Sequence, residues 1–290
     1  MALTLSPLRY PGGKTQLYNF VNHTININKL HNVTYCEPFS GGAGLAISLL
    51  LKNSVNSIIL NDFDISVYSI WYAILNDTSA LIKKINCTPI TIDEWKKQKN
   101  IYESHASINS KYCIELAFAT LFLNRTNRAG IITGGPIGGF KQKSIYDISC
   151  RFKKTVLIKK IQDIAEHKNK IQLFNLDASE LISKHLAHMD NSSLFIYFDP
   201  PYYRQGKNLY KNFFTHQDHI NLSVAIKSMD KFKWIATYDN SNEIKNIYND
   251  RNIYEYKLQY FANKTRKETE LLFCSNNTII QPFGNVEFPI

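Results

Sequence analysis

The stretch LFIYFDPPYY, Leu194 to Tyr203, constrains the fold more than any other part of the chain. Five apolar residues in a row, Leu194 to Phe198, form a strand without a polar face, and such a strand belongs inside a parallel sheet covered by helices on both sides. Asp199 then falls at its carboxyl end, the edge at which such sheets hold ligands. Pro200 and Pro201 remove two backbone donors and restrict the turn, leaving carbonyl oxygens to accept. A carboxylate, free carbonyls and the ring of Tyr202 suit an amino group on a flat ring, because the oxygens take its two hydrogens while the aromatic face stacks. The same residues also read as a plain turn after a buried strand, since proline pairs are ordinary turn formers.

Further β-branched and aromatic runs alternate with stretches of helical periodicity, the pattern of an α/β sheet. Strands are expected at Val33 to Cys36, Ser57 to Leu60, Ile171 to Phe174, Lys233 to Thr237, Ile253 to Tyr260 and Glu268 to Cys274. Helices are expected at Gly44 to Leu51, Ile65 to Leu75, Ile114 to Leu123, Thr155 to Lys168 and Asp177 to Leu186. Only FANKTRK separates the last two strands, which predicts an antiparallel pair at the edge of an otherwise parallel sheet. Roughly a hundred residues separate the second strand from the third, far more than a crossover needs. The expected organisation is therefore one domain, 1–75 and 171–290, with an inserted, mainly helical lobe at 76–170.

The segment YCEPFSGGAG places a glycine-rich turn between a strand and a helix, where backbone can approach a nucleotide-like ligand closely. Asp62 follows about 20 residues later at a strand end, where an acid commonly binds ribose hydroxyls; it also reads as a cap for the next helix. Asp177 similarly reads as a helix cap or as an acceptor for a cofactor amine. In LRYPGGK, Tyr10, two glycines and Lys14 precede a helix; Lys14 could pair with a carboxylate and the glycines clasp a ligand, or the segment is an irregular leader with a solvated lysine. The net charge of +10 points to a polyanionic partner. Five scattered cysteines without a CxxC pair suggest neither a disulfide framework nor a zinc site. No apolar run approaches the roughly 20 residues of a membrane span, and the first residues lack the layout of a signal peptide, so a cytoplasmic protein without membrane partners is expected.

With RYPGGK, EPFSGGAG, NDFD, NLDA and FDPPYY in this order, and IATYDN and RKETELLF after them, the chain resembles the Dam-type DNA adenine methyltransferases over nearly its whole length. The resemblance implies a Rossmann-like methyltransferase sheet, mostly parallel with an antiparallel edge pair, carrying an inserted helical target-recognition lobe. It implies S-adenosyl-L-methionine as cofactor and double-stranded DNA as partner. It extends to enzymes of restriction-modification systems, which would add a cognate restriction endonuclease.

Residue by residue, Tyr10 and Lys14, with the backbone of Gly12 and Gly13, would lie over the methionine portion of the cofactor. Glu37, Phe39 and Gly41 would form its main pocket, Asp62 would bind the ribose, and Asp177 would lie near the cofactor adenine. Asp199, Pro200, Pro201 and Tyr202 would hold the target base. The glycine turn departs slightly, with Ala43 and then Gly44 where a tighter FxGxG is common, and the lobe lacks the DNA-reading sequence associated with GATC enzymes. A cytosine N4 methyltransferase, or an idle DNA-binding protein with the same fold, would share much of this pattern.

The implied reaction is direct displacement by the adenine amino nitrogen on the sulfonium methyl, with the base flipped out of the duplex. In the lobe, Arg125 and Arg128 precede a glycine-rich stretch and Lys141 and Lys143 follow it, a layout suited to phosphates or guanine edges. Leu121 to Arg128 also reads as a helix end whose arginines pair with acids of the main domain, and for Arg125 that reading is as good as the first.

Overall fold

Leu194–Phe198, labelled β4, lies at the centre of a seven-stranded sheet, and all five of its residues are buried. The computed structural model describes residues 4–10, 13–107, 111–204, 214–261 and 265–288. The other strands are β1 Thr34–Glu37, β2 Ser57–Asn61, β3 Ile171–Phe174, β5 Lys233–Asp239, β6 Tyr254–Phe261 and β7 Thr265–Cys274. Their order across the sheet is β3-β2-β1-β4-β5-β7-β6. The first five are parallel, whereas β7 runs antiparallel to both β5 and β6, as the short link between the last two strands requires.

Alternate residues of these strands feed two cores, as the two-residue period of a strand demands. Tyr35, Ile58, Leu60, Phe195, Tyr197 and Ile235 face one side; Cys36, Ile59, Ile196, Phe198, Trp234 and Ala236 face the other. The second side is covered by α8 Ala178–Lys184, α9 His216–Lys227 and α10 Asn242–Ile247. On the first side lie α1 Tyr18–Ile27, α2 Gly44–Leu51 and α3 Ile65–Asn76.

The segment between α3 and β3 supplies α4 Thr78–Cys87, α5 Ile92–His105, α6 Ile114–Thr126 and α7 Lys154–Ala165. Its apolar residues, among them Leu81, Trp95, Phe122 and Leu157, join the same core as Leu49 of α2 and Trp71 of α3. A loop at 127–153 follows α6; Asn127 bridges to Pro136 across it, and the Gln142 amide donates to the Ile137 carbonyl while its oxygen accepts from the Ile148 N–H. None of the described helices is long and apolar enough to cross a membrane.

The chain builds β1, steps outward to β2 and β3, then returns to place β4 on the opposite side of β1. Neighbouring loops at the carboxyl ends of β1 and β4 therefore leave in opposite directions, and a crevice opens between them.

Candidate functional site

At that crevice β1 ends in Glu37 and Asp199 follows the last residue of β4. Glu37 is buried; its Oε1 accepts from the Tyr35 hydroxyl at 3.0 Å and from the Ala46 N–H at 3.1 Å, in the first turn of α2. Loss of water outweighs these donors and raises the carboxyl to about 8, with the Asp199 charge adding to the rise.

The glycine turn between Glu37 and α2 is held from several sides. Gly41 takes φ +45° and Ala43, just ahead of α2, takes φ +43°, the left-handed region that normally favours glycine. A Cβ added at Gly41 would lie 2.7 Å from the Tyr10 ring, so glycine here lets that ring rest on the turn. The Trp71 indole donates to the Gly41 carbonyl at 2.9 Å, and the Ser6 hydroxyl to that of Gly42 at 2.5 Å. Phe39 is half-buried beside the turn, in edge contact with Phe214.

Asp62, just past β2, accepts from the Gly41 N–H at 2.8 Å and from the Asp64 N–H at 3.0 Å. It does not cap α3; that position belongs to Asp64, whose carboxylate takes the Ser66 N–H. Loss of water, with the neighbouring Asp64 charge, raises the Asp62 carboxyl to about 7. Asp177 is exposed and caps α8 through the Ser179 N–H.

Asp199 Oδ1 receives the Lys14 ammonium at 2.9 Å and the Thr237 hydroxyl, from β5, at 3.0 Å. Lys14 is 5% exposed, an unusual place for a lysine unless it is paired. It also donates to the Tyr202 hydroxyl at 2.7 Å and lies 3.7 Å from Glu270 of β7. Burial alone would depress the ammonium; Asp199 and then Glu270 more than offset it, so its charged form is favoured overall. Tyr202 in turn donates to Glu270 Oε1, and Tyr256 of β6 donates to Glu270 Oε2 at 2.5 Å. After Pro200 and Pro201, Asp239 fixes the exit of the turn by accepting from the N–H groups of Tyr203 and Arg204.

The fold thus gathers Tyr10, Lys14, Glu37, Phe39, Gly41, Asp62, Asp199, Pro200, Pro201 and Tyr202 around the ends of β1, β2 and β4, and Gly13 opens the turn carrying Lys14. Gly12 lies outside the described residues. Lys14, placed by sequence beside the cofactor residues, is bonded here to the acid of the Asp-Pro-Pro-Tyr turn.

The four cations expected to meet DNA separate. The Arg125 guanidinium is committed to the backbone carbonyls of Arg151 and Pro7 rather than to acids, and burial lowers its pKa to about 10. Arg128, Lys141 and Lys143 are exposed. Glu270, Tyr256, Thr237 and Asp239 escaped the sequence reading. Glu270 lies in RKETELLF, one of the stretches that carry the resemblance, but nothing in it marked this acid as a site residue.

A small polar ligand fits the crevice. The Ser40 hydroxyl is buried in the glycine turn without a hydrogen-bond partner among the described residues. Acidic side chains also stand at or beyond the carboxyl ends of three consecutive parallel strands, Glu37 as the last residue of β1, Asp62 just after β2 and Asp177 after β3.

Residues 10–261 match the family model of the D12 class N6 adenine-specific DNA methyltransferases. The Type II methyltransferase M.MjaIII of Methanocaldococcus jannaschii is 24% identical over 250 residues, spanning 77% of this chain and 80% of that protein. Among solved structures, a putative RNA methyltransferase from Pyrococcus horikoshii aligns over 92% of this chain and 85% of its own at 11% identity and a TM-score of 0.40. The rRNA methyltransferase aviRa of Streptomyces viridochromogenes aligns over 93% and 88% at 12% identity and a TM-score of 0.37.

Proposed function

The chain belongs to the D12 class of N6 adenine-specific DNA methyltransferases, and on that premise we propose that its crevice binds S-adenosyl-L-methionine across β1 and β2 and receives the target adenine at Asp199. The reaction is methylation of the adenine amino group in DNA, which closes the choice between adenine and cytosine and that between an enzyme and an idle binder.

When bound, S-adenosyl-L-methionine supplies an electrophilic methyl group on a sulfonium. Glu37, Phe39 and Gly41 line its pocket, with Tyr10, Lys14 and the backbone of Gly13 over its methionine part. Asp62 holds the ribose; each of its oxygens accepts one backbone N–H already and keeps a second lone pair for a hydroxyl. Asp177 lies toward the cofactor adenine. The partner is double-stranded DNA, reached through the lobe at 76–170 by Arg128, Lys141 and Lys143, while Arg125 braces the loop that carries them. A cognate restriction endonuclease would complete a restriction-modification pair.

The adenine amino nitrogen is a weak nucleophile because its lone pair is delocalised into the ring. Asp199 and the Pro200 carbonyl accept its two hydrogens, favouring a pyramidal nitrogen, and Pro201 fixes the turn that aims them. The carboxylate would stabilise the positive charge that grows on nitrogen as it takes the methyl group, and would accept the proton that nitrogen then gives up. Tyr202 covers the base. The amino group cannot reach the methyl inside a duplex, so the base swings out at a cost of a few kcal/mol, offset by stacking and hydrogen bonds in the pocket.

The observation carrying this reading is Asp199 at the carboxyl end of β4, beside the switch point and paired with Lys14. Asp199→Ala is expected to abolish transfer of tritiated methyl to DNA while calorimetry still shows S-adenosyl-L-methionine binding. Nucleosides from DNA treated with the unaltered enzyme should contain N6-methyladenine by mass spectrometry. Substantial transfer by the variant would remove Asp199 from the reaction.

A further inference from the structure

We propose that Glu270 is a second seat for the Lys14 ammonium, taking it over when Asp199 turns to the target amino group, and is thereby a positioning residue for methyl transfer. The inference rests on the reading of Asp199 as the acceptor of that amine. In the structure the ammonium lies 2.9 Å from Asp199, on the same Oδ1 that receives Thr237. There it competes with an incoming amine for the carboxylate and repels the positive charge that would develop on nitrogen. It cannot simply be released, because a buried cation without a counter-charge is strongly disfavoured.

Glu270 meets the need. It is 1% exposed, lies 3.7 Å from the ammonium, and is linked to it through the Tyr202 hydroxyl, which accepts from Lys14 and donates to Glu270. Two acids therefore share one cation, and a movement of about 1 Å, small for a flexible lysine side chain, changes which of them it neutralises. Tyr202, the residue placed over the base, spans the two positions, so an arriving base would act on the same bridge.

Among the described residues, the charged and titratable groups facing Glu270 are Lys14, Asp199 and Tyr202, Tyr197 on β4, Tyr256 on β6, and Asp239 directly across from it on β5. Burial raises the Glu270 carboxyl, while Lys14 and the two tyrosine hydroxyls hold it down; the net direction is upward. The seat functions only when ionised, so the single-turnover rate of the unaltered enzyme should fall on the acid side as Glu270 takes a proton.

Glu270→Gln keeps the size and an acceptor for the tyrosines but leaves Lys14 on Asp199. Its single-turnover transfer rate should drop by about 10- to 100-fold, the loss typical when a group that orients a catalytic one is removed. Calorimetric binding of S-adenosyl-L-methionine should stay within about twofold, a small effect against RT, and the acid limb should disappear. Tyr256→Phe, a milder change should Glu270→Gln not fold, removes a donor that favours ionised Glu270 and should move the limb to higher pH. A limb retained in Glu270→Gln, or unmoved in Tyr256→Phe, overturns the proposal, because a merely structural carboxylate would lower the rate without carrying the limb. Asp199→Asn separates the two readings. If that variant is inactive and Glu270→Gln matches the unaltered enzyme, the second seat fails alone; if Asp199→Asn is fully active, the amine-acceptor reading fails and the second seat with it.

Discussion

Glu37 and Asp62 are acids in surroundings that favour their protonated forms, and this has a measurable consequence for stability. In the unfolded chain they would titrate near the ordinary values of about 4.3 and 3.9, whereas in the folded chain burial carries them to about 8 and about 7. Between those limits the folded state binds more protons than the unfolded one, so stability declines as pH rises. The contribution is present in full below about pH 4 and is lost as pH climbs through 7 and 8. Scanning calorimetry without added cofactor should show a melting temperature that falls from pH 5.5 to 8.5. Glu37→Gln should flatten that slope most and Asp62→Asn less; slopes unchanged in both would mean that these acids are not held protonated. A site built this way favours any ligand that gives the two carboxylates donors at neutral pH, as ribose hydroxyls do.

At the scale of elements, the N-terminal segment and the end of α6 are one joint. The Arg9 N–H donates to the Asn124 side chain at 2.9 Å, the Asn124 amide returns a bond to the Arg9 carbonyl at 2.7 Å, and the Arg9 guanidinium reaches the Asn127 carbonyl. Gly130 closes the joint at φ +80°, and a Cβ there would lie 2.3 Å from the Arg9 carbonyl oxygen. Gly130→Ala meets backbone rather than a yielding side chain, in a conformation alanine disfavours by roughly 1 to 3 kcal/mol. It should lower the melting temperature, and because Tyr10 and Lys14 follow Arg9 it should also weaken S-adenosyl-L-methionine binding by calorimetry. Loss of stability with cofactor affinity untouched would show that the joint does not transmit to the crevice.

The sequence revealed the sheet because its central strand is apolar throughout, and Leu194 to Phe198 and Gly44 to Leu51 match β4 and α2 to the residue. It concealed α1 and α9, whose stripes are interrupted by Asn, His and Thr, and it marked Asp62 rather than Asp64 as a possible cap because two acids stand two apart. Tyr256 and Glu270 belong to a pair of consecutive strands that meets Lys14 only in three dimensions, so no local spacing connects them to it.

Over the whole molecule, an excess of ten positive charges gives a general attraction to DNA, but the placement of the cations decides what each contributes. Arg125 is bound to carbonyls, whereas Arg128, Lys141 and Lys143 stand exposed on the loop after α6 with Phe140 and Tyr146, themselves 62% and 65% exposed. That loop is tied down beneath them: the Trp95 indole donates to Asn127 at 2.6 Å, and the Asn127 amide donates to the carbonyls of Ile131 and Ile132. A surface of cations and aromatics on a braced loop can meet a phosphate backbone without first being ordered, which reduces the entropic cost of binding. If Lys141 and Lys143 each neutralise a phosphate, replacing both with alanine weakens binding to any duplex and makes its logarithmic salt dependence shallower by roughly two units, about one for each contact. Arg128 has the fork geometry for a guanine edge, so Arg128→Ala should cost about 1 to 3 kcal/mol of discrimination between the recognition sequence and a one-base variant, with little loss of non-specific affinity. Titrations at several salt concentrations, on both duplexes, separate a phosphate contact from a base contact. Variants that keep affinity, slope and discrimination unchanged would place the DNA-reading surface elsewhere on the chain.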